Sequence, residues 1–372
     1  MRALASNERG SIVPRSGQAF TPNILPKSPG FGSLTEACTG LMRILIAGLG
    51  SIGRRHLQNL KIVEPTAYIT VWHLHATPGS EEQTRSLADA VVYRLEDALE
   101  SRPHAAFITG PASHHIETAL PMAEAGVHLF IEKPLSHTME RVDELLRSSR
   151  ERSLTLMVGY NLRFCRPLQV MREALAEGRI GRPLVLRAEA GQYLPDWRPG
   201  RDYRESVSAK SVLGGGAVLE LSHELDYARW LVGDVEAVAA QAAKVSDLEI
   251  DVEDVAEIIL TFRNGAIGSV HLDMIQRPPT RSCRVTGAGG TLTWDWADRR
   301  VRYFSAKRGE WADLLVEEDS DRNAMYLEEL RHFLTCVKNR QSPAITGEDA
   351  RRTLEIALAV KESSRTGQVV PV

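Results

Sequence analysis

Apolar positions along the chain follow two rhythms, and the change falls near residue 160. Before it, short apolar runs are separated by stretches of helical period. Ile44–Ala47, Ala67–Leu74, Ala90–Tyr93, Ala105–Thr109, Val127–Ile131 and Leu154–Val158 predict six short strands. Ile116–Ala125, stopped by Gly126, and Met139–Arg150, with Val142, Leu145 and Leu146 on one face, predict helices between them. Strands alternating with helices predict a doubly wound parallel α/β sheet. In such a sheet, ligands lie outside the C-terminal ends of the strands.

After residue 160 the runs lengthen and alternate. A helix over Leu168–Glu177 is followed by strand-like segments at Leu184–Tyr193, Val235–Lys244, Val255–Phe262, Ala266–Leu272, Leu292–Trp296 and Val301–Phe304. Asn264-Gly265 between two of them is a hairpin signal. This predicts a large, mostly antiparallel open sheet with helices on one face. Two helical segments, Met325–Lys338 and Gly347–Ser363, close the chain. The domains expected are a disordered extension over 1–41, a doubly wound first domain over 42–160 and a second domain over 161–372. The final helices are free to pack back on the first domain.

The first predicted strand runs into Gly48, Gly50 and Gly53, a G-x-G-x-x-G spacing that opens a helical pattern. The first glycine permits a tight turn, the second lets a pyrophosphate approach the backbone, and the third lets the helix pack closely on the strand. The free N–H groups of the helix start face the phosphates. Leu49, Ser51 and Ile52 complete the turn and count with the glycines as cofactor-binding candidates. The competing reading is a glycine-rich turn without a ligand.

Composition narrows the rest. The 372 residues suffice for two sizeable cores, and 43% hydrophobic with 25% charged residues is ordinary for a globular protein. A net charge of −3 gives no electrostatic reason to expect nucleic acid or an anionic membrane. Cys38, Cys165, Cys283 and Cys336 form no C-x-x-C pair, which fits a reducing cytoplasm rather than a disulfide framework. No apolar stretch approaches the ~20 residues needed to span a bilayer. Residues 1–41 hold Pro14, Pro22, Pro26 and Pro29, with no sustained periodicity and no signal-peptide core. Met42, directly before the first strand, is a candidate start of translation; a transit peptide is the lesser alternative.

Several residues are chemically suggestive. Glu132-Lys133-Pro134 ends the fifth predicted strand, where Lys133 could bond a substrate hydroxyl or a ribose and assist proton transfer; a surface lysine in a turn competes. Gly214-Gly215-Gly216 precede AVLELSHELDYARWL, read as one helix whose His223 and Asp226 share a face, a histidine base tuned by a carboxylate. A histidine bonded in the core competes. Gln192–Ser206 is dense in Tyr, Trp, Arg and Asp, which suits a polyhydroxylated or anionic ligand; a solvated loop competes. Neither His73 with His75 nor His114 with His115 has further ligands at a recognised spacing, so no metal is expected. The acid that binds the ribose 2′-OH belongs about 20 residues after the last glycine. That window holds Trp72, His73, Leu74 and His75, and the nearest acids are Glu81 and Glu82. NAD or NADP is therefore expected, with a slight lean to NADP, whose 2′-phosphate His73 or Arg85 would approach.

GLGSIGRRH, TGPASHH, GVHLFIEKP, GYNLRF and GGGAVLELSHELDYARWL, in this order, resemble the glucose-fructose oxidoreductase / inositol dehydrogenase (Gfo/Idh/MocA) family, and the closing segment from Met325 to Val370 is also similar. The resemblance covers about Met42 to Val370. It implies a Rossmann domain, a C-terminal α/β domain with an open sheet, and NAD(P)-dependent redox chemistry on sugars, nucleotide sugars or polyols. It resembles most the branch found with bacterial surface-polysaccharide and amino-sugar biosynthesis. By position it implies that Thr109, Pro111 and His114 line the cofactor with His73, that Glu132 and Lys133 face the nicotinamide ribose and the substrate, and that His223 is the catalytic histidine with Asp226 nearby. Arg163, Tyr193, Trp197, Arg198 and Tyr203 join His223 as implied substrate contacts. One departure stands out. The family's aspartate four residues before the histidine is Leu219 here, and Glu220 is the candidate substitute. A non-catalytic dinucleotide or sugar sensor on the same fold is the alternative. A homo-oligomer, dimer or tetramer, assembled through the second sheet is expected, because one sheet face needs a cover that helices do not supply.

Overall fold

The computed structural model describes residues 40–73, 87–318 and 321–372, and Leu41–Val372 form one unit. The extension expected over 1–41 lies almost wholly outside the described residues. So do Leu74, His75, Glu81, Glu82 and Arg85 of the ribose window.

Strands β1 (Arg43–Ala47), β2 (Tyr68–Trp72), β3 (Ala90–Val92), β4 (Ala105–Ile108), β5 (His128–Glu132) and β6 (Leu156–Gly159) form one sheet in the order β3-β2-β1-β4-β5-β6. Every neighbouring pair is parallel. The strands are buried on both faces, as near-continuous apolar runs require. The order reverses between β1 and β4, and a ligand crevice belongs there.

The second sheet has nine strands in the order β14-β13-β12-β11-β7-β10-β9-β8-β15. Its ranges are β7 Pro183–Gly191, β8 Val235–Ala243, β9 Val255–Phe262, β10 Ile267–Asp273, β11 Thr280–Gly287, β12 Gly290–Asp295, β13 Arg300–Ser305, β14 Glu310–Val316 and β15 Val370–Pro371. All its pairings are antiparallel except β7 with β10. In β9, Ala256, Ile258, Leu260 and Phe262 are buried while Glu257, Ile259 and Thr261 are exposed. That period of two is the signature of a half-covered sheet. Helix Gly347–Thr366 packs on β8, and also reaches β6 and helix Val142–Glu151 of the first domain. Helix Ala324–Asn339 packs on helix Ser51–Val63, behind the glycine turn.

Three strands, β11, β14 and β15, were not legible as apolar alternation. Only Cys283 and Val285 are buried in β11, and β14 is largely exposed. One expectation is corrected. AVLELSHELDYARWL is two helices, Ala217–Glu220 and His223–Val232. In a continuous helix Glu224 N–H would donate to the Glu220 carbonyl; here it reaches Leu221 O at 3.4 Å, and the Glu220 carbonyl accepts from Lys133 Nζ at 2.8 Å.

Candidate active site

A cavity of about 980 Å³ opens at the C-terminal ends of β1, β4 and β5 and is closed on its other side by the second domain. The glycine turn forms one wall. Gly48 has φ 99°, a region that favours glycine, and its N–H donates to Trp72 O at 3.1 Å. A Cβ on Gly53 would overlap the Gly48 carbonyl oxygen and come within 2.7 Å of Thr109 Oγ1. Thr109 Oγ1 donates to Gly48 O at 2.7 Å, locking the two turns together. Gly53 is thus the packing glycine behind the wall, while Leu49, Gly50, Ser51 and Ile52 line it. Helix Ser51–Val63 starts at Gly50 with no side-chain cap and no acid in its first turn, and a Cβ at Gly50 would meet open space. Uncapped N–H groups at an open helix start fit a dinucleotide pyrophosphate.

Beyond the turn, His73, Thr109, Pro111 and His114 line the cavity. His73 directly follows β2, stacks on Tyr93 at 6.0 Å, and buries an Nε2 that has no hydrogen-bond partner among the described residues. His115, next to the lining, has Nε2 3.0 Å from Gly110 O and Nδ1 2.9 Å from Pro134 O. It ties the ends of β4 and β5 together. Burial pushes its pKa down against those two carbonyls, so the neutral ring donates to one of them.

Glu132 ends β5. Its Oε1 lies 2.5 Å from Nε2 of the buried His56, and its Oε2 accepts from Lys133 N–H at 3.2 Å. Glu329, on the helix packed behind, is fully buried, and neither of its oxygens has a hydrogen-bond partner among the described residues. Burial, and then the Glu132 charge, push its pKa well above the usual carboxylate range. Lys133 reaches across the cavity to the second domain: Nζ donates to Glu220 O and lies 3.6 Å from Glu220 Oε2. His223, also lining the cavity, packs edge-on against Tyr160 with centroids 5.7 Å apart. Its pKa is held well below 6.5, first by burial, then by the charges of Lys133 and Arg281. The ring is therefore neutral near pH 7.

Three predicted roles are corrected by geometry. Asp226 does not face His223. Its carboxylate accepts a two-point hydrogen bond from Arg163, at 2.8 and 2.6 Å, and a bond from Thr353 at 3.3 Å. Arg163 in turn reaches Asp349 at 2.6 Å. Both residues are buried, and neither lines the cavity; the pair fastens the loop after β6 to helices His223–Val232 and Gly347–Thr366. Tyr193 is also outside the lining, its ring under Arg277 at 3.3 Å, while Trp197, Arg198 and Tyr203 are in it. Leu219 is core, 2% exposed. Sequence reasoning missed Tyr326, which enters the cavity from the penultimate helix with Arg55 4.5 Å above its ring, and Asn161, which GYNLRF contained without marking.

Residues 42–160 match the model of the Gfo/Idh/MocA oxidoreductase family's NAD-binding Rossmann fold, and residues 172–372 match that family's C-terminal alpha/beta domain. The chain belongs to the Gfo/Idh/MocA oxidoreductase family. Within it, the chain is 30% identical over 349 residues to the myo-inositol 2-dehydrogenase of Thermotoga maritima, covering 87% of this chain and 96% of that one. It is 26% identical over 326 residues to the UDP-N-acetylglucosamine 3-dehydrogenase of Acidithiobacillus ferrooxidans, covering 86% and 96%. The fold matches a levoglucosan dehydrogenase in complex with NADH at a TM-score of 0.80 and 20% identity, over 89% of this chain and 99% of that one. The protein is an oxidoreductase with an NAD-binding domain.

Proposed function

We propose that this oxidoreductase acts on a CH–OH group, or the corresponding carbonyl, of a sugar, nucleotide sugar or polyol. The observation that carries the reading is the convergence of Lys133, Glu220 and the neutral His223 on one cavity beside the glycine turn. Bound nicotinamide dinucleotide supplies the hydride acceptor or donor. Lys133 bonds the reacting oxygen and His223, being neutral, takes the proton that leaves it during oxidation. Glu220 stands in for the aspartate missing at Leu219 by setting the position of Lys133. This acid beside the lysine, with the neutral histidine, favours catalysis over a sensor. The named relatives support the substrate class, with surface-polysaccharide sugar biosynthesis as the narrower reading.

Both NAD and NADP enter the site in this reading, with a lean to NADP. Among the described residues of the ribose window, Trp72 and His73, there is no carboxylate to repel a 2′-phosphate. The enzyme works as a cytoplasmic homo-oligomer, dimer or tetramer; no described helix is long and apolar enough to cross a membrane. The test is absorbance of reduced nicotinamide with a panel of sugars and polyols, together with titration of both dinucleotides. Turnover with a CH–OH substrate supports the reading. Tighter binding of NAD than of NADP rejects the cofactor lean, and silence across the panel rejects the substrate class.

A further inference from the structure

The segment Gln192–Ser206 holds three acids and three arginines. Its acids all have cationic neighbours: Asp202 pairs with Arg204 at 2.8 Å, Glu205 with Lys210 at 2.7 Å, and Asp196 reaches Arg277 at 4.0 Å. Arg204 is also shared with Glu249 at 3.3 Å. The side chains of Arg198 and Arg201 are left without an ion pair or hydrogen bond among the described residues. Both line the cavity that holds Lys133, Glu220 and His223.

Their placement follows from a turn. Arg201 N–H donates to Arg198 O at 3.1 Å, Pro199 takes the second position, and Gly200 takes the third with φ 79°. That is a type II β-turn, whose outer residues stand within about 7 Å at their Cα atoms. Trp197, just before it, is anchored by Nε1 donating to Gln192 O at 2.9 Å. Two arginines are thus presented from one turn at the cavity, and neither side chain is paired with a carboxylate among the described residues. A guanidinium pair presents planar forks of donors that match the oxygens of a carboxylate or a phosphate. The dinucleotide pyrophosphate has its own cradle at Gly48–Gly53, so these cations are available to another anion.

We propose that the substrate carries an anionic group, a carboxylate or a phosphate, away from the reacting carbon, and that Arg198 and Arg201 form the fork that binds it. The proposal rests on the reading of the chain as a dehydrogenase of sugars and polyols, and it narrows that reading from neutral members to acidic ones.

The experiment compares neutral sugars and polyols with their uronic, 6-phospho and nucleoside-diphosphate forms, glucose against glucuronate, glucose 6-phosphate and UDP-glucose among them. Binding is read by calorimetry in the presence of NADH, and turnover by absorbance. The acidic members are expected to bind better than their neutral partners, and the Arg198→Gln/Arg201→Gln double variant to lose about tenfold to a hundredfold of that affinity. The loss should appear in KM more than in kcat, with Arg198→Lys retaining part of it. The uronic and phospho arms tell a carboxylate from a phosphate. Equal binding of neutral and acidic forms, binding of neutral forms alone, no binding across the panel, or a double variant that loses NADH affinity instead, each overturns the proposal. Acid binding that depends on the arginines but comes without any redox turnover would leave the anion site standing and reject the dehydrogenase reading. Both arginines sit on an open loop, so an unchanged melting temperature separates lost binding from lost fold.

Discussion

Lys133 and His223 come from different domains and meet only because the chain folds them onto one cavity. Lys133→Met removes the group that bonds Glu220 O, and His223→Ala removes the neutral ring, while neither supports the core. Turnover is expected to fall by ~10²–10⁴ in each, the usual worth of general acid–base help, with dinucleotide binding largely kept. Glu220→Gln preserves the main-chain carbonyl that Lys133 uses, so a smaller loss is expected. Steady-state rates with the true substrate check all three, and normal turnover by His223→Ala would refute the proton path. The pH profile adds a sign. His223 takes a proton only when neutral, and its pKa lies well below 6.5. The rate of oxidation should therefore fall on the acid side only below pH 6.5; a limb centred above that value rejects His223 as the base. The sequence made Lys133 visible because it follows the end of a strand, and His223 because it shares a predicted helix face with Asp226. It misassigned Arg163 and Asp226, since charged residues inside a site motif look like ligands until their mutual ion pair, at 2.6 Å and out of solvent, is seen.

Parallel strands β1 to β6 were readable as apolar runs because both faces of that sheet are covered. The second sheet was only partly readable. β11 sits between two strands yet buries little of its own, and β14 lies at an edge, so neither carries the alternation that marks a strand. The broken helix at Leu221-Ser222 was hidden for a different reason: its apolar period continues, and only the tie between Lys133 and the Glu220 carbonyl marks the break. On β10, His271 donates from Nδ1 to Glu257 at 2.6 Å and from Nε2 to Asp273 at 3.0 Å. The bond to Asp273 contributes most, and the His271 pKa is raised to about 9. A histidine raised in the folded state adds stability that is complete below its unfolded pKa of about 6.5 and is lost as pH rises through the folded value. The β8–β9–β10 region should accordingly weaken between about pH 6.5 and 9. In His271→Gln that decline should disappear. Urea unfolding midpoints at both ends of the window measure it, and a parallel decline in wild type and variant would show that His271 is not its source.

At the scale of the whole molecule, the open face of the nine-stranded sheet is the feature that one chain leaves unfinished. Ile267 pairs with Thr261 and Val185 across β9, β10 and β7, and Ile259 sits on the same face one pair along. These apolar residues are exposed: Ile267 by 55%, Ile259 by 47% and Val185 by 39%. Next to them Arg187 and Arg284 stand directly opposite each other on β7 and β11, an arrangement of like charges that costs stability in an isolated sheet. One row further, Glu189 lies opposite His271, and Glu257 lies beyond it. A face that carries exposed apolar residues beside arginines and acids offers a second copy of the chain both an apolar patch and charges of either sign. That geometry is why the homo-oligomer is expected on this face rather than on a helical one. Ile259→Asp combined with Ile267→Asp places two charges in the proposed seam without touching the core beneath, where Ile258 and Leu260 point the other way. Light scattering should give a wild-type mass of at least twice 41.2 kDa and a variant mass of a single chain, with circular dichroism unchanged. A wild type that is monomeric at working concentration, or a variant that keeps its assembled mass, would move the interface elsewhere or remove it.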